Sequence, residues 1–139
     1  MLQASRLGIG DRHSACVVEN LSRTQIVQYA GASGDYNPLH TDEIYTTQVA
    51  GYPSVFAHGM LTMGLTGKML TDYVGDGALI RFGVRFTSQV WPGDTLLATA
   101  IVTALGEEAG QRIAQFALTT TNQHGAEVLS GHATAKIAP

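Results

Sequence analysis

A helix that is apolar on nearly every side constrains this chain more than any other feature. Between Gly59 and Tyr73 the large apolar residues fall on all faces of a helix: Met60, Leu61, Met63, Leu65, Met69 and Leu70. A helix of this kind has to be buried. Gly64 and Gly67 each lower its helix propensity by about 1 kcal/mol relative to alanine, which is tolerable where the missing side chains let a sheet approach.

A change of period follows this helix. After Gly75-Asp76-Gly77 the apolar residues alternate, which predicts strands over residues 79–88, 95–104, 112–121 and 127–137. Turn residues at 91–94, a polar loop at 106–110 and a hairpin loop at 122–125 separate them. An antiparallel meander wrapped around one buried helix satisfies both patterns. The sequence therefore predicts an α+β fold, and its length predicts a single domain over residues 1–139.

The N-terminal half carries helix boundary signals. A strand is predicted through residues 15–18. Ser22 and Gln25 form a capping box at the start of a helix, which is expected to end near Ser33-Gly34. Thr41 and Asp42 are expected to cap a second, short helix.

Composition excludes several classes of protein. Charged residues make up only 14% of the chain, against roughly 25% in an average domain, which suggests that some surface is buried in an oligomer. The net charge is −3 and the eight basic residues are scattered, so nucleic-acid binding is not expected. No apolar run reaches the roughly 18 residues that span a bilayer, and no signal peptide is seen. With the single Cys16, a cytoplasmic location without membrane attachment is expected.

A short motif places an acid and an imidazole close together. It reads Gly34-Asp35-Tyr36-Asn37-Pro38-Leu39-His40. Gly34 lets the chain leave a helix, and Pro38 holds Asn37 away from helical dihedrals. Asp35 and His40 thus lie on a rigid turn, where such a pair can move protons near neutral pH. The motif does not read as a calcium loop: Pro38 stands at its fourth position, His40 where such a loop needs glycine and Thr46 where it needs a bidentate glutamate. No metal is therefore expected.

The motif and a second one downstream, Ala57-His58-Gly59-Met60, together resemble the MaoC-like hot-dog hydratases and dehydratases. These are the R-specific enoyl-CoA hydratases and the (3R)-hydroxyacyl-ACP dehydratases. Val84-Arg85-Phe86-Thr87 and Trp91-Pro92-Gly93-Asp94-Thr95 agree with this, and the resemblance covers roughly residues 8 to 137. The run from His58 to Gly64 and the segment Tyr73-Val74-Gly75-Asp76 are most similar to the catalytic subunits of mycolic-acid-type fatty-acid elongation dehydratases.

The resemblance implies a hot-dog fold, with the sheet around a long central helix, and a reaction without metal or organic cofactor. A (3R)-3-hydroxyacyl thioester would lose water, or a trans-2-enoyl thioester would gain it. His40 would act as the base and Asp35 as its proton-exchanging partner, while the Gly59 amide would hold the oxyanion. The competing interpretations are a structural loop histidine, a turn-capping aspartate and a glycine needed only for close packing.

Further residues are expected around the substrate. Asn37 is expected to brace the turn, and His58 to be neutral and structural beside the substrate site. Tyr52 and Phe56 are expected to line the acyl tunnel, although both could simply pack against the sheet. Three basic residues are candidates for the carrier phosphates of coenzyme A or an acyl carrier protein: Lys68, Arg81 and Arg85.

One position departs from the family pattern. The R-specific hydratases have a supporting serine in the central helix, and the matching position here is Gly67, with Thr62 and Thr66 nearby. Two alternative functions stay open: a hot-dog thioesterase, which the absence of acidic residues from Gly59 to Thr71 disfavours, and a non-catalytic acyl-binding subunit, which would lack the Asp/His pair. The expected assembly is a homodimer or higher oligomer, or a heterodimer with a related hot-dog subunit.

Overall fold

One antiparallel sheet of five strands forms the body of the structure, a computed structural model that describes residues 1–139. The strands are β1 (Arg12–Val18), β2 (Leu79–Phe86), β3 (Leu96–Glu108), β4 (Gln111–Thr121) and β5 (Glu127–Lys136). Their order in the sheet is β1-β3-β4-β5-β2. The predicted meander is therefore right for β3 to β5 and wrong for β2. This strand pairs with β5 because residues 87–95 cross the end of the sheet instead of forming a hairpin.

Three helices lie between β1 and β2: α1 (Arg23–Ser33), α2 (Pro38–Thr41) and α3 (Gly59–Val74). A short 3₁₀ turn at Ala4–Arg6 and a π-helical turn at Tyr45–Val49 complete the helical segments. The capping box of α1 is confirmed, since the Gln25 amide donates to Ser22 Oγ at 3.1 Å and the Ser22 amide donates to Gln25 Oε1 at 2.9 Å. No helix combines the length and the apolar character needed to cross a bilayer.

Two local features differ from the predictions. The helix expected after Thr41 and Asp42, with Ile44 and Tyr45, is present as a π-helical turn in which the Asp42 carboxylate accepts the Tyr45 amide, but a further short helix, α2, precedes it from Pro38 with Asn37 as its cap. The predicted loop at 106–110 is mostly strand: β3 and β4 continue to a tight turn at Ala109 and Gly110, whose φ angles are +49° and +76°. Cross-strand pairing thus overrides the polar composition of that segment.

Small side chains on the sheet let α3 lie close against it. Met69, Leu70 and Val74 of α3 are at most 2% exposed and belong to the main core. The residues that face them across the middle of the sheet are mostly alanines: Ala98, Ala100, Ala114, Ala133 and Ala135. An alanine leaves space for the helix, so the apolar side chains of α3 fill the gap between the two layers.

The opposite side of α3 remains open. Met60 is 55% exposed, and Gly64 and Lys68 are also exposed. The helix is thus covered where it faces the sheet, as expected, but not on nearly all sides within one chain. Next to this open side, β2 forms an edge of the sheet with Ile80 and Phe86 exposed.

Candidate active site

Three hydrogen bonds bring the two sequence motifs together. The Phe56 amide donates to the Leu39 carbonyl at 3.2 Å, which ties the loop before α3 to α2. His40 Nδ1 lies 2.7 Å from the Phe56 carbonyl oxygen, and His58 Nε2 lies 3.0 Å from the Asp35 carbonyl oxygen. Residues separated by 16 and 23 positions therefore meet at the N-terminal end of α3.

The turn that carries Asp35 is held by its own side chains. Gly34 adopts a left-handed conformation with φ of +74°, which ends α1. Asn37 Oδ1 accepts the Leu39 amide at 3.0 Å, and Asp35 Oδ1 accepts the Asn37 amide at 3.2 Å. Pro38 occupies the first turn of α2, where its missing N–H costs nothing. The Asp35 side chain is consequently fixed at its base but exposed to the solvent.

The Phe56 carbonyl determines which nitrogen of His40 can act as a base. A carbonyl oxygen only accepts hydrogen bonds, so Nδ1 must carry the proton and Nε2 the lone pair. Burial lowers the pKa of His40 below 6.5, with the neighbouring His58 adding to this, while the Phe56 carbonyl and Asp35 act in the opposite direction. His40 is therefore neutral at pH 7 and presents Nε2 as a free acceptor.

His58 lies behind His40 and is almost completely enclosed. It is 2% exposed, and its ring stacks on that of His40 with centroids 3.7 Å apart. The edge of Tyr29 covers another side of the ring at 4.8 Å. Nε2–H of His58 donates to the Asp35 carbonyl, and Nδ1 has no partner. His58 is thus held from several sides, with one buried ring nitrogen left without a hydrogen-bond partner.

The side chains of Asp35, His40 and His58 lie close together but do not have the geometry of a metal site. Asp35, His40 and His58 each offer a ligand atom within 4.8 Å of the others. However, the two imidazole planes are inclined by only 24°, so their in-plane lone pairs run side by side. A zinc ion needs lone pairs that converge on one point at about 2.0–2.1 Å, and this arrangement does not fit that requirement.

A cleft of about 300 Å³ opens between the first turn of α3, the end of β2 and the strap of residues 87–90. Neither Asp35 nor His40 lines this cleft, but Phe56, whose carbonyl oxygen contacts His40 Nδ1, does. Phe56, Gly59, Thr62, Phe86, Gln89 and Val128 are among its lining residues. Gly59 is the first residue of α3, so its N–H has no partner within the helix. A Cβ at this position would lie 2.9 Å from two carbons of the Phe86 ring, so any larger residue would have to displace that ring.

Of the other four predicted substrate contacts, one lines this cleft and three lie around it. Phe56 lines the cleft and approaches His40 edge-on, with ring centroids 5.4 Å apart. Tyr52 packs against the far side of Phe56 at 5.0 Å. Asn37 caps α2, and His58 is enclosed behind His40. Of these four residues, the cleft therefore includes Phe56 alone.

Sequence reasoning missed Phe86 and the strap as part of the lining. Thr62 was noted only as lying near the position of the helix serine, although its spacing of three from Gly59 places both on one helix face. Thr66 lies elsewhere: it is fully buried, and its hydroxyl is 2.8 Å from that of Thr120. At Gly67 the space for a side chain is limited, because a Cβ would lie 3.0 Å from the Phe82 ring.

The three basic candidates differ in their pairing. Arg81 forms an ion pair with Glu108, and Lys68 forms one with Asp72 at 2.5 Å. Arg85 is exposed on β2 and forms no ion pair. Arg85 is therefore the one of the three whose guanidinium is available to a phosphate.

Comparison with known proteins gives a consistent picture. The family model described as "MaoC like domain" matches residues 9–126. The chain is 34% identical to an (R)-specific enoyl-CoA hydratase of Rhodospirillum rubrum over 131 residues, which covers 93% of this chain and 88% of that protein. It is 37% identical over 89 residues to the 3-hydroxyacyl-thioester dehydratase Y of Mycobacterium tuberculosis, which covers 62% of this chain and 31% of the longer relative.

The fold is also found among solved structures. An (R)-hydratase from A. caviae involved in PHA biosynthesis superposes with a TM-score of 0.84 at 28% sequence identity. The match covers 96% of this chain and 99% of that one. The fold is thus shared along nearly the whole length of both proteins.

Proposed function

Because the chain belongs to the MaoC-like family and has its hot-dog fold, we propose that it interconverts (3R)-3-hydroxyacyl thioesters and trans-2-enoyl thioesters by loss and addition of water. It would thus be a hydro-lyase of fatty-acyl metabolism. The (R)-specific hydratase of Rhodospirillum rubrum, of which this chain covers 88%, supports both the reaction class and its stereochemistry.

One observation carries the proposal: a neutral histidine with a free Nε2 lies beside an aspartate at the end of a helix that borders a cleft. The Phe56 carbonyl selects the tautomer of His40, as required of a base. A base whose pKa lies somewhat below neutrality is largely unprotonated at pH 7, so it is ready to accept a proton.

In the dehydration direction, His40 Nε2 takes the proton from C2 of the 3-hydroxyacyl thioester. The C2 electrons form the new double bond as the C3–O bond breaks. The leaving hydroxyl needs one proton, and the proton that His40 took from C2 supplies it. The Asp35 carboxylate holds the hydroxyl, accepts this proton from His40 and hands it to the departing oxygen. One water leaves, and both side chains return to their starting states. Hydration follows the same steps in reverse.

Negative charge on the thioester oxygen is the second requirement. We assign its stabilisation to the Gly59 amide, which lies at the positive end of α3 and borders the cleft. One such donor contributes roughly 3 kcal/mol of transition-state stabilisation. Loss of the C2 proton then needs neither metal nor organic cofactor, because the thioester itself acidifies that position.

The remaining predicted residues are given supporting roles. Phe56 would contact the acyl group, with Tyr52 holding its ring from behind. Asn37 would fix the turn between the two catalytic side chains. His58 would act beside the substrate through its contact with His40 and its hydrogen bond to the Asp35 carbonyl.

The carrier and the assembly belong to the same proposal. Arg85 is the preferred phosphate contact for coenzyme A or the arm of an acyl carrier protein, since Arg81 and Lys68 are engaged. The exposed side of α3 and the unpaired edge of β2 support a dimer or higher oligomer, formed with a second copy or a related hot-dog subunit.

Hydrolysis of the thioester is the competing reaction. A hot-dog thioesterase usually activates water with an acidic side chain of the central helix or a nearby loop. The first acidic residue of α3 is Asp72, which is exposed at the far end of the helix and paired with Lys68. That position lies several turns from the cleft, so α3 itself offers no carboxylate for this purpose.

The test is the enoyl absorbance of purified protein with crotonyl-CoA and with a longer trans-2-enoyl-CoA. Loss of absorbance is expected with the wild type, and a fall of about a hundredfold or more with folded Asp35→Asn and His40→Ala variants. Absence of reaction on both free and carrier-protein-bound enoyl thioesters would contradict the proposal. Release of free thiol would instead identify a thioesterase.

A further inference from the structure

Thr62 borders the cleft at the same face of α3 as Gly59. The two residues are three positions apart, which puts their Cβ positions about 5–6 Å from each other on a helix surface. The Thr62 side chain is almost enclosed, with 3% of the residue exposed, and it contributes to the cleft lining. A hydroxyl that is so little exposed to solvent needs another hydrogen-bond partner.

The hydroxyl of Thr62 has no partner in the protein. A threonine within a helix commonly bonds back to a carbonyl one turn earlier, as Thr71 does to the Lys68 carbonyl at 3.1 Å. Thr62 makes no such bond. Among the side-chain nitrogen and oxygen atoms that are fully enclosed, only Nδ1 of His58 lacks a hydrogen-bond partner. The unpartnered hydroxyl of Thr62 is therefore not fully enclosed and retains access to the cleft.

The direction of the side chain follows from helix geometry. Every Cα–Cβ bond of a helix tilts toward the N-terminus, so a side chain covers the turn before its own position. The hydroxyl of Thr62 therefore lies over the first turn of α3, on the side where the Gly59 amide is free. Two donors, one from the backbone and one from a side chain, border the same part of the cleft.

Thr66 shows the contrasting case one turn later. Its hydroxyl is fully buried and 2.8 Å from that of Thr120, on the side of α3 that faces the sheet. The hydrogen bond joins helix to strand and leaves no group for a ligand. Thr66 therefore serves as a matched control for the removal of a threonine hydroxyl from the same helix.

We propose that the Thr62 hydroxyl is a second hydrogen-bond donor to the thioester oxygen, acting together with the Gly59 amide. The inference rests on the proposed function, because it assumes that an acyl thioester occupies this cleft. As negative charge grows on the oxygen, both hydrogen bonds strengthen, so the hydroxyl contributes more to the transition state than to substrate binding.

The first measurement compares kcat and KM of Thr62→Val, Thr62→Ser and Thr66→Val on an enoyl thioester. Thr62→Val keeps the shape but removes the donor, and kcat is expected to fall about ten- to a hundredfold with little change in KM. Thr62→Ser should recover most of the rate. Thr66→Val should lower the melting temperature and leave kcat within about twofold. A Thr62→Val enzyme with kcat within about twofold of the wild type would overturn the proposal.

A second measurement does not require turnover. The infrared carbonyl stretch of an enoyl thioester bound to the His40→Ala protein should move to lower frequency, and the shift should be smaller once Thr62→Val is added. An unchanged shift would overturn the role of Thr62. If the wild type instead proves unable to hydrate any enoyl thioester while the bound carbonyl still responds to Thr62→Val, the proposed reaction fails and the hydrogen bond stands.

Discussion

Adding one methyl group at Gly59 is the sharpest test of where the substrate lies. In Gly59→Ala the new Cβ would lie 2.9 Å from two carbons of the Phe86 ring and 3.1 Å from a third. Ordinary contacts begin near 3.4 Å, so the ring has to move by about half an ångström or more. Phe86 is 47% exposed at the end of β2, which gives its ring room to move. One direction open to it is the cleft that it already lines.

The cost to folding should be small. Displacing a half-exposed ring from its rotamer costs about 0.5–1.5 kcal/mol, whereas replacing a helical glycine by alanine recovers up to about 1 kcal/mol. The net loss is therefore about 1 kcal/mol or less, which corresponds to a melting temperature lower by no more than about 4 °C for a chain of this size. Catalysis should suffer far more, because a displacement of about 1 Å near the reacting atoms can reduce the rate a hundredfold.

The assay is hydration of crotonyl-CoA followed by absorbance, with thermal unfolding in parallel. We expect kcat/KM of Gly59→Ala to fall by about ten- to a hundredfold. Phe86→Leu shortens the side chain that collides with the new methyl group. The double variant should therefore regain most of the activity of Phe86→Leu alone.

Two results would refute this reasoning. Full activity of Gly59→Ala would mean that the substrate does not use the space between Gly59 and Phe86. An inactive but folded double variant would mean that the methyl group harms catalysis in some other way than through the ring. In the second case the position of the cleft would stand, but the steric explanation would be wrong.

Three further predictions concern the histidines and the sheet. Because burial lowers the pKa of His40, the acid limb of the kcat/KM profile should lie below pH 6.5. The contribution of this residue to the free energy of unfolding should be complete above pH 6.5 and should decline as the pH falls through the lowered pKa. Unfolding measured as a function of pH checks the second expectation. His58→Phe retains a ring against His40 but removes the donor to the Asp35 carbonyl; kcat should fall about tenfold while the protein stays folded, and unchanged kinetics would exclude a positioning role. Gly131→Ala places a Cβ 2.2 Å from the Gly83 carbonyl oxygen, so β2 cannot keep its pairing with β5, and chemical denaturation should reveal a loss of several kcal/mol or no folded protein.

Local signals account for the parts of the site that sequence reasoning described well. The capping box at Ser22 and Gln25, the left-handed Gly34 and the turn at Asn37-Pro38 all depend on residues within a few positions of each other. Backbone sterics and short-range hydrogen bonds decide such features, so the residue types alone are informative.

Contacts between distant residues explain what was missed. Whether β2 pairs with β3 or β5 depends on how residues 87–95 cross the sheet, and alternation within a strand does not encode its partner. The extension of β3 and β4 into residues 106–110 is likewise a property of the pair, because each strand supplies the other's hydrogen bonds. For the same reason no local pattern indicates that Phe86 lines the cleft, since this depends on where β2 lies in the sheet.

By itself, the sequence determined the central helix, most of the strands and the turn that carries Asp35 and His40, because period, caps and turn residues act locally along the chain. Only the tertiary structure decided the chemical state of that pair. The Phe56 carbonyl selects the tautomer of His40, and the stacked ring of His58 helps to bury it. Both effects arise from burial and from hydrogen bonds between segments far apart in sequence, which no local pattern specifies.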